Sequence, residues 1–572
     1  MYVRKDSDLS RNKTDRQLIE LLTHSLANRL LQIGLLLAGF LLVWKNLHAT
    51  LKFDDAFMFY RYAIHMREGL GISWNLDKVH TLGLSSPMWC AIVWAASFLP
   101  LAPGQVLVLA SSFSTFGAVL AIAVAIVLNA KSPILKSVTR VTFLIVLPPL
   151  CLSGMFLANS RSGMETMFAV AINGIICGAV WIWSREPSKT HAWIVGLASL
   201  AAFLTRPESA LPSLIVIALA ALLLSREQLH FIDAFLPICI LCVGISIYII
   251  ACKLYFHDAL PLAFYVKRHQ FYLGYIGQKR PVLRALQFFA ACSASLFLLV
   301  WLTTLKQLRI LVVFLIPLLA VTLYLCTIVQ IMGSNSRYYL PYCPYIFFPA
   351  MMVLDESLAV GEGFRVNDPL LRLCMSVFLF SVIGSVLPDK VFQKLDDFAE
   401  GRRVRYAEAQ RVEEAKAPLP PVEWDQGWMT ITDLIIAKLP KGATVAATEV
   451  GYMGAMAPQV NIIDLSGLNN PQIALNGFSM ETMLKQKPDL VWLPFPDYTY
   501  YRGVFFDSTE FLSQYTVFDG ALTYGIALRK DSPFYAQMMA GMQHIWAKEY
   551  GGTRMEDYEV QSAHWDRTPI PL

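Results

Sequence analysis

The chain has 572 residues, 56% of them apolar or aromatic and only 16% charged, with a formal net charge of +5. Soluble domains run nearer a quarter charged, so this composition excludes an ordinary soluble enzyme, a disordered chain and a secreted disulfide scaffold. The positive charge is too small and too dispersed to mark a nucleic-acid partner.

Residues 1–28 read as a polar cytoplasmic tail carrying Arg4, Lys5, Arg11, Lys13 and Arg16, with no cleavage site of a secretory signal behind it. Apolar blocks of roughly bilayer-crossing length follow at 29–48, 86–101, 105–129, 141–158, 166–184, 191–205, 208–225, 231–252, 285–305, 308–330, 340–356 and 368–388. The block 86–101 is short and reads as dipping in and returning. The pair 191–205 and 208–225 is broken by Arg206-Pro207-Glu208, and broken helices with charges line protein or a cavity rather than lipid.

With the tail inside, the basic loops Lys131–Arg140, Arg185–Lys189, Arg226 and Lys306–Arg309 are cytoplasmic too, as the positive-inside rule asks. Loops 49–85, 159–165, 253–284 and 330–339, and everything past 388, are then external. Loop 253–284 objects, because it carries Lys253, Lys267, Arg268, Lys279, Arg280 and Arg284. Either the topology is inverted or these cations meet a lipid phosphate, and the second reading is adopted. All ten cysteines lie at or before Cys374, so the polar region beyond has no disulfide.

Past residue 388 the composition turns polar. Residues 389–425 mix charge and proline as an amphipathic helix and linker. A helix at 432–439, a strand at 442–448, a turn at Gly451–Gly454, a strand at 460–464, a loop at 466–469, a helix at 479–486 and a strand at 489–493 then suggest a small α/β domain. The predicted fold is a mainly α polytopic membrane protein with about 11 membrane helices plus a re-entrant segment. Its divisions are the tail 1–28, a membrane domain 29–388 with first outer loop 49–85, and a C-terminal α/β domain 389–572 on the extracytoplasmic side.

Four constellations carry candidate chemistry. Asp54 and Asp55 adjoin each other just past the first membrane helix, where mutual repulsion raises one carboxyl toward a general base's range. They serve equally to share a cation or sugar hydroxyls, and the plainer reading is an N-cap for the helix that follows. Arg61 falls on the same helical face as Asp54. The loop continues with Trp74 and Asn75, residue types that stack on and hydrogen-bond sugars or form an interfacial belt. Glu165, in Asn159-Ser-Arg-Ser-Gly-Met-Glu165, is a carboxylate at the same membrane edge or a solvated helix cap, and Arg206 and Glu208, buried between two short apolar segments, most simply pair with one another. Lys267 and Arg337 are cations at helix ends, suited to phosphate or to snorkelling among headgroups.

In this order the motifs are recognisable. Asp54-Asp55 with Arg61-Tyr62, Gly69-x-Gly71-x-x-Trp74-Asn75, Ser162-Gly-Met-Glu165, Thr205-Arg-Pro-Glu208, Pro261-x-x-Phe-Tyr-x-Lys267, Arg337-Tyr-Tyr-x-Pro341 and Ile463-Asp-Leu-Ser-Gly-Leu468 resemble the GT-C membrane glycosyltransferases. Over residues 30–530 the set is most similar to the terminal β-(1→2) arabinofuranosyltransferases. Met164 stands where Leu is expected, and Gly83-Leu-Ser-Ser where relatives carry a Tyr-Thr-rich stretch.

The resemblance implies a GT-C fold and transfer of a sugar, arabinofuranose favoured, from a polyprenyl-phosphate donor to a cell-envelope glycan or glycoprotein at the outer face of a bacterial inner membrane. Asp54 and Asp55 would be catalytic. Lys267, Arg337 and Arg61 would bind the donor phosphate. Glu165, Arg206 and Glu208 would support the site or hold a divalent metal, which some members use and others do not. Trp74, Asn75, Asp464 and Asn469 would bind the acceptor. A polyprenyl-phosphate mannose or glucose transferase, a lipid or solute transporter, and a non-catalytic subunit that binds lipid-linked sugar are the competing readings.

Overall fold

The structure, a computed structural model, describes residues 53–132, 135–142, 154–224, 231–266, 280–293, 307–328, 334–360, 424–494, 499–522, 524–551 and 553–560, with scattered positions in 32–51, 295–299, 330 and 419–422. Parts of the expected spans 141–158 and 285–305, the whole of 368–388, the tail 1–28 and nearly all of the linker 389–425 lie outside the described residues.

An apolar helix α1 (Gln32–Leu47) leads to α2 (Asp54–Arg67). Next come α3 (Pro87–Ala96) and α4 (Pro103–Asn129). Then follow α5 (Thr166–Arg185), α6 (Lys189–Thr205), α7 (Ala210–Leu223) and α8 (Phe231–Phe256). α9 (Arg280–Ala291), α10 (Leu308–Cys326) and α11 (Pro344–Val360) complete this half. Among the described residues four helices are long and apolar enough to cross a membrane: α4, α5, residues Ala234–Phe256 of α8, and α10. The chain is a multi-pass membrane protein. α3 has ten residues, about 15 Å of helix and half a hydrocarbon core. Arg206 adopts an extended conformation between α6 and the Pro207–Ser209 turn. It therefore breaks the 191–225 pair at the expected place.

The C-terminal half opens with α12 (Trp424–Leu434) and β1 (Thr444–Ala447). α13 (Gly451–Met456), β2 (Asn461–Asp464), α14 (Pro471–Asn476) and α15 (Met480–Lys485) follow. The order then runs β3 (Leu490–Trp492), α16 (Thr499–Phe506), α17 (Thr509–Gln514), β4 (Tyr515–Phe518), β5 (Ile526–Arg529) and α18 (Tyr535–Glu549). The strands make one sheet in the order β2-β1-β3-β5-β4. β1 lies parallel to β2 and β3, and β5 antiparallel to β3 and β4. The turn expected at Gly451–Gly454 is a correction: it is the short helix α13.

One apolar core joins the membrane helices through Ile122, Trp181, Val313 and Phe348. A second core is shared between the halves. Phe57, Trp74 and Trp89 of the first outer loop and its neighbour α3 pack with Trp428, Met453, Ile462 and Trp546 of the tail. The α/β domain and the first outer loop therefore bury one continuous apolar body, with α2 as one of its walls.

Candidate active site

The sequence placed its key carboxylates at the start of α2, and the structure separates their roles. Asp54 is 3% exposed. Its two oxygens accept the backbone N–H groups of Gly451 and Tyr452, each at 2.8 Å. Two turns later Arg61, fully buried, donates from Nη1 to the carbonyls of Gly454 at 3.0 Å and Ala457 at 3.3 Å. Its Nη2 reaches the Val460 carbonyl at 2.8 Å, and Nε the Trp74 carbonyl at 2.7 Å. One face of α2 thus holds both ends of the six-residue α13, anion at its N-terminus and cation at its C-terminus, the arrangement the helix dipole favours. Arg61 has its donors taken by carbonyls and is corrected from phosphate ligand to domain clamp. Asp54 anchors the same helix from its N-terminal end, each of its oxygens accepting one backbone N–H.

The expected acceptor residues are also framework. Trp74 is buried, and its Nε1 donates to the Ile462 carbonyl at 3.2 Å. Asn75 pairs with the Ile462 backbone through both Oδ1, at 2.8 Å, and Nδ2, at 3.1 Å. Asp464 is fully buried at the end of β2 and closes the following loop on the Ser466 and Asn469 N–H groups and the Asn469 side chain. Asn469 in turn accepts the Tyr62 hydroxyl at 3.0 Å. A Cβ on Gly83 would lie 2.2 Å from Asn469 Oδ1 and 2.4 Å from the Tyr62 hydroxyl. Glycine at that position is therefore a condition for the outer loop to meet the tail.

Asp55 points elsewhere. Its side chain is 24% exposed and its Oδ2 lies 3.3 Å from Arg337 Nη2. Arg337 is 5% exposed, yet its Nε and Nη1 have no hydrogen-bond partner. A buried guanidinium with unfilled donors is costly and suits an anion that supplies the missing oxygens. The backbone before it is strained. Asn335 and Ser336 hold positive φ angles of 53° and 50°, which cost on the order of 1–3 kcal/mol each and persist only where surroundings enforce them. Asn159 Nδ2 holds the Asn335 carbonyl at 3.1 Å, and Ser336 Oγ donates to the Arg284 carbonyl at 2.9 Å.

Arg206 sits behind this cation. It donates to the Arg337 carbonyl at 3.0 Å and pairs with Glu208 at 3.1 Å and Glu165 at 3.5 Å. Both arginines lie over the Tyr338 ring, 5.2 Å from its centroid. The structure thus brings Asp55, Glu165, Arg206, Glu208 and Arg337 into one neighbourhood, with the second oxygen of Glu165 buried and unpartnered. Lys267 lies outside the described residues. Among the described residues no three His, Cys, Asp or Glu side chains converge as metal ligands.

Sequence reasoning missed Glu449. It stands between β1 and α13, where burial pushes its carboxyl up to about 8 against the lowering bond from Thr448, with Asp54, Asp464 and Asp55 adding to the rise. Burial likewise raises Asp54 to about 7, outweighing its two N–H bonds. A carboxylate directly after a buried apolar strand was the available signal.

Within the C-terminal domain, residues 421–543 match a family described as a domain of unknown function (DUF8728). No curated protein matches the sequence. The whole structure is similar to the crystal structure of ArnT from Cupriavidus metallidurans bound to undecaprenyl phosphate, with a TM-score of 0.52, 12% identity, and 87% of this chain and 98% of that chain covered. The two chains share a fold. The likeness spans both halves, so the tail domain and the membrane helices are compared as one arrangement.

Proposed function

We propose that the chain is an integral-membrane glycosyltransferase of the bacterial inner membrane. It moves a sugar, arabinofuranose first among the candidates, from a polyprenyl-phosphate donor to a cell-envelope glycan or glycoprotein acceptor at the outer face. The observation that carries this reading is Arg337, buried beside Asp55 with two unfilled donor nitrogens. The undecaprenyl phosphate bound by the similarly folded ArnT supports a lipid phosphate as the missing anion. Arg337 would meet the charge that develops on the departing phosphate. Asp55, paired with the same cation, would then border the anomeric carbon. Lys267, next in sequence after the helix Leu262–Val266, is proposed to add a second cation.

The test is a donor screen. Purified protein in detergent is incubated with labelled polyprenyl-phosphate arabinose, mannose and glucose and a glycan acceptor. Release of polyprenyl phosphate with sugar appearing on the acceptor is expected from one donor, and no release from any would refute a transferase. The side of the membrane is a separate prediction. A periplasmic phosphatase fused after Leu572 should be active and a cytosolic reporter there silent; the reverse would place the Asp55–Arg337 site in the cytosol.

A further inference from the structure

Trp74, Asn75, Asp464 and Asn469 turn their polar groups onto backbone and onto one another. A cavity of about 70 Å³ lies one step further along the chain, between α14 and α15. Its floor is apolar, made by the buried residues Ile463 of β2, Ile473 of α14 and Met483 of α15. Its rim carries the amides of Gln472, Asn476 and Gln486 and the hydroxyl of Thr482. Among the described residues no charged side chain lines it; Glu481 and Lys485 of α15 pair with each other at 2.6 Å. A charged ligand would find no counter-ion here. A neutral sugar finds an apolar floor for its C–H face and amides that both donate to and accept from its hydroxyls. A water needs about 10–15 Å³ of such space, so the cavity admits one edge of a sugar ring and leaves the rest of a glycan chain outside.

We propose that the cavity between α14 and α15 is a subsite for an internal, neutral sugar of the acceptor glycan, separate from the sugar that reacts; this rests on the transferase reading above. α14 ties the cavity to the membrane half. Ile473 lines the cavity, while the next residue, Ala474, packs on Leu262 and Val266 of the helix that precedes Lys267. Leu262 in turn donates its N–H to the Leu82 carbonyl of the first outer loop at 2.9 Å. Asn469, two residues before α14, accepts the Tyr62 hydroxyl of α2. A glycan seated in the cavity therefore lies across one short helix from the outer loop and from α2, the helix that begins with Asp54 and Asp55. Binding there holds the chain by a remote sugar and leaves its end to the Asp55–Arg337 site.

Purified full-length protein in detergent is titrated by calorimetry with neutral arabinan, mannan and glucan oligosaccharides, each in a short and a long form, without donor. Wild type should bind the long form of one of them more tightly than its short form. Asn476→Ala combined with Gln486→Ala should weaken binding of that long form about tenfold, the loss of two neutral hydrogen bonds. The advantage in kcat/KM of the long acceptor over the short one should shrink by a similar factor, because remote binding energy is what is removed. Thr482→Trp, which fills the cavity, should do at least as much. Lys485→Ala, on the same helix but outside the cavity, should bind as wild type does. Undiminished binding of the long form in both cavity variants overturns the proposal. So does an equal loss with long and short forms, which would place the effect at the reacting end. Wild type that binds the long form but transfers from no donor overturns the transferase reading and keeps the sugar site; transfer with unaltered cavity variants overturns the subsite alone.

Discussion

Arg337→Gln is expected to lower sugar transfer by about 10²–10³-fold, the usual cost of removing one preorganised donor from a developing oxyanion. The reason lies in what the guanidinium leaves undone. It bonds Asp55 through one nitrogen and holds two more buried and empty. Gln keeps the approximate length and removes the charge. Arg337→Lys should fall between the two, because an ammonium restores charge without the planar fork. Binding of undecaprenyl phosphate, measured by calorimetry, should weaken in both variants and most in Gln. Asp55→Asn removes the partner instead, so donor binding should persist while turnover falls. Undiminished lipid binding in Arg337→Gln would return this cation to the fold, as a counter-ion for Asp55 alone.

Some of this was legible in the sequence and some was not, for reasons that attach to particular residues. Apolar block length located α4, α5, α8 and α10, and the Arg206-Pro207-Glu208 interruption located the break between α6 and α7. Arg337 stood out in the sequence as a cation beside an apolar block, but its buried pairing with Asp55 left no mark there. The adjacency of Asp54 and Asp55 showed that the pair mattered but not that it divides. The partners of Asp54 are backbone N–H groups nearly four hundred residues away, and a backbone donor leaves no mark in sequence. The same holds for Arg61, whose shared face with Asp54 was visible while its carbonyl partners were not. Trp74 and Asn75 bond the backbone of an edge strand at Ile462, a partner that residue type alone does not distinguish from a sugar. β4 and β5 went unread; like β3, which was read from its apolar run alone, they are almost wholly buried. A sheet covered on both faces shows no period-two alternation.

Gly451→Ala should be among the most damaging single-methyl changes in the chain. A Cβ at Gly451 would sit 1.9 Å from the Asp54 carbonyl oxygen and 3.0 Å from its Cγ, about 1.5 Å short of ordinary contact. The obstacle is backbone, so no rotamer relieves it, and α2 must move off α13. That movement breaks both N–H bonds to Asp54 and pulls Arg61 from the far end of the same helix. A loss of about 3 kcal/mol or more is expected from overpacking and from orphaned buried charge together. At Gly454 the nearest atom is Arg61 Cδ, at 2.9 Å, the middle of a flexible side chain, so Gly454→Ala should cost less. At Gly117, within α4, no atom lies within 4 Å, and Gly117→Ala should be neutral or slightly stabilising. Thermal unfolding in detergent should rank the three in that order. Transfer should fall in Gly451→Ala even in the fraction that remains folded, because Asp54 and its neighbour Asp55 at the start of α2 shift when α13 is pushed away. Equal stability of Gly451→Ala and Gly117→Ala would show that the two halves do not meet along this helix.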